Sequence, residues 1–231
     1  MEEFEQKILE LIEEREKNLF EIERTLFTKR YKLSQIHFEI FAVQSITMIY
    51  AIWEGFGQRA FQLYISKLNS LNVDFKDFNS EIKTFHLENT FKQFNEYPQK
   101  EQKKYAFFED LYIFNRQDKH NLYPKINTQS NLGFKTLNVI LKALCLEPFT
   151  EWHTYQYPNQ SLEAQLKMFL EYRNGIAHGG DISSNEKVTQ AIYTKYKDLV
   201  VTLMYAIMYK MIDGLNNESY KITQGSDLSI E

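Results

Sequence analysis

Breakers and cross-links are what this sequence has least of. Its 231 residues hold one cysteine, 4 prolines and 8 glycines. So few turn-formers argue against a sandwich of short strands and for long helices. The lone Cys145 excludes an internal disulfide framework and fits a reducing compartment. It lies in the apolar run Leu141–Leu146, where a buried structural thiol is expected rather than a nucleophile. Excess positive charge is missing too: the net charge is −4, so no surface is expected to coat itself with nucleic acid non-specifically. The start, MEEFEQKILELIEEREK, is acidic and amphipathic, unlike a secretory or transit segment. Phe38 to Trp53, the most apolar stretch, is interrupted by Glu39, Gln44, Ser45 and Thr47, and it is shorter than the roughly 20 residues a bilayer requires. A soluble, cytoplasmic protein is expected, with no membrane partner.

Aromatic residues are plentiful, at 15% with 18 Phe and 15 Tyr, in a chain otherwise of ordinary composition, 43% hydrophobic and 25% charged. Apolar positions at Phe4, Ile8, Leu11, Ile12, Leu19, Ile22 and Leu26 predict a first helix over 2–29. Ser34 to about Asn69 predicts a long central helix, apolar on most sides. Residues 70–128 are less regular. One helix is expected over Ile82–Phe94, ended before Pro98, and the KEQKK run at 100–104 is expected as a solvated loop. Periodicity returns at 130–146, with Ser130 or Asn131 as N-cap. An aromatic loop with Trp152, His153, Tyr155 and Tyr157 follows between Pro148 and Pro158. A helix is expected over 161–178. The last one starts at the Ser183/Glu186 capping-box spacing, runs to Ile212 and stops at Gly214. The fold class read from these patterns is all-α: one domain over 1–215, with an irregular insertion at about 70–128, and a polar, frayed tail over 216–231.

One segment carries chemistry. Arg173-Asn174-Gly175-Ile176-Ala177-His178 lies at the junction between two helices, and Gly179-Gly180 lets the chain turn there. Arginine offers a planar fork of donors to phosphate oxygens. Histidine exchanges a proton near neutral pH. Asparagine can orient a hydroxyl or the imidazole. RNA carries its own nucleophile in the 2′-hydroxyl, so such a trio could cleave it without a metal or cofactor. An Arg and a His at about this spacing occur easily by chance, and Arg30 with His37 is another such pair. Requiring Asn directly after Arg, and His after three intervening residues, reduces chance to roughly one in a hundred chains of this composition. The alternative on spacing alone is that two cationic side chains merely suit a helix C-terminus.

RNGIAH matches the Arg-Asn-x3-His motif of the HEPN superfamily, at the place before the last core helix where that family carries it. Tyr50-Ala51-Ile52-Trp53-Glu54-Gly55-Phe56 and Ser130-Asn131-Leu132 also resemble the stand-alone prokaryotic HEPN proteins of RNA-repair and toxin systems. The likeness spans about Ser34 to Ile212 and is poor over 70–128. It implies a HEPN-type helical bundle, a homodimer with the motifs facing each other, and a metal-independent endoribonuclease acting as a toxin or antiviral defence effector. An antitoxin or defence-system partner is implied with it. Arg173 and His178 would be the catalytic pair, Asn174 their polar support. Some toxin members carry Tyr two residues after the His, where this chain has Gly180, so functions depending on that Tyr are not carried over.

Glu54 has two readings: a supporting carboxylate that orients Arg173 or His178, or one satisfied by Arg59 or by solvent. His86, His120 and His153 lack metal-ligand spacing, so no metal site is expected. The Arg116–His120 loop is expected to be solvated, and Trp152–Tyr157 to pack rather than to stack bases. The competing function is a catalytically silent HEPN module that binds a nucleotide or a protein; a third is a structural protein that dimerises through the motif face.

Overall fold

The computed structural model describes residues 1–28, 30–128, 131–151, 160–177 and 188–222. Among them are seven α-helices and no strand, an all-α bundle of the HEPN type. The first, α1 (Glu2–Phe27), opens with Glu2, Glu3 and Glu5 and carries Arg24 in its last turn, charges that suit the helix dipole. Its stripe Phe4, Ile8, Leu11, Ile12 and Leu19 is buried. The central helix α2 (Gln35–Ser70) begins at Ser34, whose hydroxyl accepts from the His37 amide at 3.3 Å. Helices α6 (Leu162–Ala177) and α7 (Gln190–Asn216) complete the core: α1, α2 and α7 pack on one another, and α6 packs on α2. Fully buried Trp53, Phe56, Phe61 and Tyr64 fill the middle from α2. Buried polar groups tie the layers together, as where the Tyr193 hydroxyl donates to the Leu19 carbonyl at 2.7 Å.

The smaller helices α3 (Ser80–Thr90), α4 (Glu101–Asn115) and α5 (Phe134–Ala143) flank these four, α5 packing on both α3 and α6, with Ile82, Leu137 and Leu141 joining the core. Residues 122–128 and 131–132 run without helix, the first beside the far end of α2 and the second beside its middle. Asn69 holds this strap at one end, its Oδ1 accepting from the Leu122 amide at 2.8 Å. At the other end Trp53 Nε1 donates to the Leu132 carbonyl at 2.9 Å. Gly57 makes the approach possible, because a Cβ there would collide with Leu132 Cδ2.

Several local expectations are corrected. KEQKK is no loop: Lys100 caps α4 and Glu101 begins it, so these long charged residues form an exposed first turn that suits their helix propensity. The helix expected over Ile82–Phe94 ends at Thr90 and is followed by a separate 3₁₀ turn, Lys92–Phe94. Asn131 does not cap α5. Gly133 does, because Leu132 is drawn onto α2 by Tyr50 and Trp53; Ser130 lies outside the described residues. Ser183 and Glu186 lie outside them as well, and α7 is capped by Thr189, whose hydroxyl accepts from Ile192 N at 3.3 Å. Gly214 is no stop signal: it is buried inside α7, where a Cβ would stand 2.6 Å from Leu146 Cδ2 and 3.1 Å from the Tyr64 hydroxyl. The tail is not frayed at its start. Tyr220 is buried, Asn79 Nδ2 donates to the Ser219 carbonyl at 2.6 Å, and the Ile222 amide donates to the Asp77 carbonyl at 3.0 Å. By length and composition α2 could span a membrane, contrary to the reading of its apolar stretch as too short. Its inward face is occupied by the bundle core.

Cys145 is half-buried and closes α5. The Cys145 amide donates to the Lys142 carbonyl at 3.0 Å and the Leu146 amide to the Leu141 carbonyl at 2.8 Å, with Cys145 at φ 55 where glycine is usual. Burial pushes its thiol up to about 11, which makes it a poor nucleophile at neutral pH.

Candidate active site

Arg173 continues the inward stripe of α6. Leu162, Leu166 and Phe169 are buried at helical spacing, and Arg173 follows one turn beyond Phe169 on the same face. The Phe169 ring meets Tyr50 of α2 edge-on, at 5.7 Å and 65°. One turn further, the Arg173 guanidinium lies 4.4 Å from the centre of that same Tyr50 ring. Its Nη1 also donates to Asn174 Oδ1 at 2.7 Å. The cation is therefore half-buried and braced by an aromatic face and a neighbouring amide. A long side chain held in this way loses less freedom on meeting a phosphate.

Tyr50 is fixed in turn by the strap. Its hydroxyl oxygen accepts from the Leu132 amide at 2.9 Å. Burial holds the Tyr50 phenol above its ordinary range; the Leu132 amide and Arg173 oppose this, and the Glu54 carboxylate adds to it. The phenol thus stays neutral and presents its ring to the cation. Glu54, one turn along α2, accepts from the Thr128 hydroxyl at 2.6 Å, and Gln58 Nε2 donates to the same hydroxyl at 3.0 Å. Thr128 is itself buried. The carboxylate's hydrogen bond thus goes to the strap, and no ion pair to Arg59 is present among the described residues.

Of the residues singled out in the sequence, Arg173, Asn174 and Glu54 therefore gather where α6 crosses the middle of α2. His178 follows the last residue of α6 in the chain and lies outside the described residues, as do Gly179, Gly180 and Trp152–Tyr157. Thr128 and the Leu132 backbone are parts of the site that sequence reading did not assign. Leu132 carried a signal, since it belongs to a segment that resembles the family; Thr128 carried none. The histidines of the insertion form a separate cluster. His120 stacks on Phe114 at 3.6 Å, and buried His86 accepts from the Tyr123 amide at Nδ1, 2.9 Å away. Arg116 lies over Tyr112 at 4.3 Å, and residues 116–119 are exposed, so the loop is solvated with ring contacts at its two ends.

The arrangement is that of an all-α domain with an arginine braced at the crossing of two core helices, followed five positions on in the sequence by His178. The sequence matches the MAE_28990-like HEPN family over residues 4–220, and the chain belongs to the HEPN superfamily. Membership supports an RNase-like or nucleotide-binding module. No curated protein and no solved structure matches the chain.

Proposed function

We propose that the protein is a metal-independent endoribonuclease in which Arg173, Asn174 and His178 carry the chemistry and Glu54 supports them. The observation that carries this reading is the bracing of Arg173: a half-buried guanidinium is held on Tyr50 and by Asn174 beside the motif histidine in sequence. In the reaction the substrate's 2′-oxygen bonds to phosphorus while the P–O5′ bond breaks. A base takes the 2′-hydroxyl proton and an acid gives one to the departing 5′-oxygen, leaving a 2′,3′-cyclic phosphate and a 5′-hydroxyl. His178 suits the proton transfers and Arg173 the charge that builds on the phosphoryl oxygens.

A homodimer with a composite site accompanies this reading, since one motif supplies a single histidine where acid and base are both useful. The outward side of α2 favours it. Ile36, Ile40, Phe41 and Met48 are between 48% and 69% exposed and form an unpartnered apolar stripe leading towards Gly55. Gly55 in α2 and Gly175 in α6 stand inside helices with no atom of the described residues within 4 Å of where a Cβ would be. Such glycines cost a helix about 1 kcal/mol each relative to alanine, and a close-approaching partner backbone or RNA strand gives them a use. A role as toxin or antiviral effector, held in check by an antitoxin or defence-system partner, fits an RNase of this family.

The test is incubation of the purified protein with RNA in EDTA beside an Arg173→Ala/His178→Ala double variant. Cleavage that survives EDTA, leaves cyclic phosphate and 5′-hydroxyl ends, and vanishes in the variant is expected. Products with 5′-phosphates, or equal cleavage by the variant, would overturn the reading.

A further inference from the structure

The cavity that opens beside Asn174 has a chemistry of its own. It occupies about 370 Å³ between the start of α5 and the last turns of α6, a size within the usual range for small-molecule sites. Leu170 and Phe134 give it an apolar floor, while Asn131, Thr136 and Asn174 contribute amides and a hydroxyl to its walls. The floor is close-packed, for a Cβ on Gly133 would stand 2.7 Å from Leu170 Cδ1. Four charged residues line it and their signs cancel: Lys135 and Lys167 against Glu163 and Glu171. Lys167 and Glu171 are already 3.8 Å apart.

This lining does not suit a phosphate, which two carboxylates would repel. It suits a flat, neutral group that carries donors and acceptors on its edge and an apolar face. We propose that this cavity receives an unpaired nucleobase of the RNA, the base of a nucleotide adjoining the scissile bond. The proposal rests on the ribonuclease reading, because Asn174 both borders the cavity and touches Arg173, which makes cavity and braced cation one continuous surface. Asn174 Oδ1 is engaged by Arg173, so its amide N–H groups are what it offers a base. Asn131 can both donate and accept, and the two glutamates can accept from an exocyclic amine, the pairings through which amide and carboxylate side chains read base edges. A strand whose backbone crosses Arg173 would thus be read at one position by the wall of α5 and α6, and the enzyme would prefer certain bases there.

Binding and cleavage together test this. Cleavage sites in a random RNA pool are mapped first. A 2′-O-methyl oligonucleotide of the preferred sequence, which lacks the nucleophile, is then titrated by fluorescence anisotropy with an abasic site placed at each position in turn. In the wild type, one abasic position next to the scissile bond should weaken binding at least ~5-fold, on the scale of losing one stacked base. In Thr136→Tyr, which fills the cavity, and in Asn131→Ala, at an exposed wall, that penalty should collapse. The base preference in the cleaved pool should flatten with it. A wild type that cleaves RNA but shows the same abasic penalty and base preference in both variants would overturn the cavity's role and leave the ribonuclease reading standing. A protein that neither cleaves the pool nor binds the oligonucleotide would overturn both.

Discussion

Both sides of α2 carry large apolar side chains, and their fates are opposite. Inward, Trp53, Phe56, Phe61 and Tyr64 are fully buried and tied to their neighbours. Outward, Ile36, Ile40, Phe41 and Met48 are about half exposed or more. The glycines divide in the same way. Gly57 and Gly214 stand where another residue already fills the space of a Cβ, whereas at Gly55 and Gly175 none of the described residues does. One region is closed because the chain needs it for folding. The other is left open, and openness at a helix interior is stabilising to nothing within a single chain.

The sharpest way to break this contrast is to truncate one residue on each side. Trp53→Ala removes a fully buried indole and its bond to the strap, and should cost about 3–5 kcal/mol of stability. Met48→Ala should leave thermal stability of the dilute protein nearly unchanged but weaken self-association, read by light scattering across a concentration series. Similar melting losses in both variants would mean that the outward stripe is core after all.

Away from the core the largest effects on rate are expected from the motif. His178→Ala should lower the cleavage rate at least ~10²-fold, the scale of a lost general acid or base. Arg173→Lys should fail comparably, since an ammonium neither forks onto two phosphate oxygens nor lies flat on the Tyr50 ring. Wild-type rates in both would make the motif no more than a helix terminus. Glu54→Gln should be milder, about ~10-fold in rate, with Thr128→Val following it because Thr128 holds that carboxylate. If either loss appears only as a lower melting temperature, with normal rate per folded molecule, Glu54 is structural.

How much of this was legible in the chain follows the same division. Periodicity marks α1, α2, α6 and α7 well because each buries one continuous stripe against a core. It fails for α4, where Phe107 is the one fully buried residue and apolar side chains point all round. Glycine was misread at Gly214, because a glycine required by close approach carries the same letter as one that ends a helix. In the site, Arg173, Asn174 and Glu54 were nameable from local motifs. Thr128 reaches Glu54 across 74 positions of sequence, and no local pattern encodes such a contact.

A smaller effect concerns the histidine cluster of the insertion. Burial pushes the His86 imidazole down to about 4 from 6.5, with His120 adding to the shift. Between those values the unfolded chain binds a proton that the folded one does not. Stability should therefore fall as pH drops from about 6.5 towards 4. His86→Asn keeps an acceptor for the Tyr123 amide without the titrating ring, and should flatten that part of the melting-temperature profile. An unchanged slope would place the pH dependence elsewhere.

The smallest expected change in stability is also the one that tests the contrast most directly. Gly55→Ala adds a methyl group where none of the described residues lies within 4 Å, inside a helix that prefers alanine to glycine. In a chain acting alone it should stabilise by about 0.5–1 kcal/mol and leave activity alone. If a partner's backbone or an RNA strand passes close over Gly55, the same methyl group raises the melting temperature of the dilute protein while cleavage or dimerisation weakens. Gly175→Ala on α6 should behave alike, because it is equally open and stands two residues after Arg173. Melting temperature, dimer dissociation constant and cleavage rate measured on both variants separate the cases. Gains in stability with full activity and unchanged association would show that no close-approaching partner uses this face.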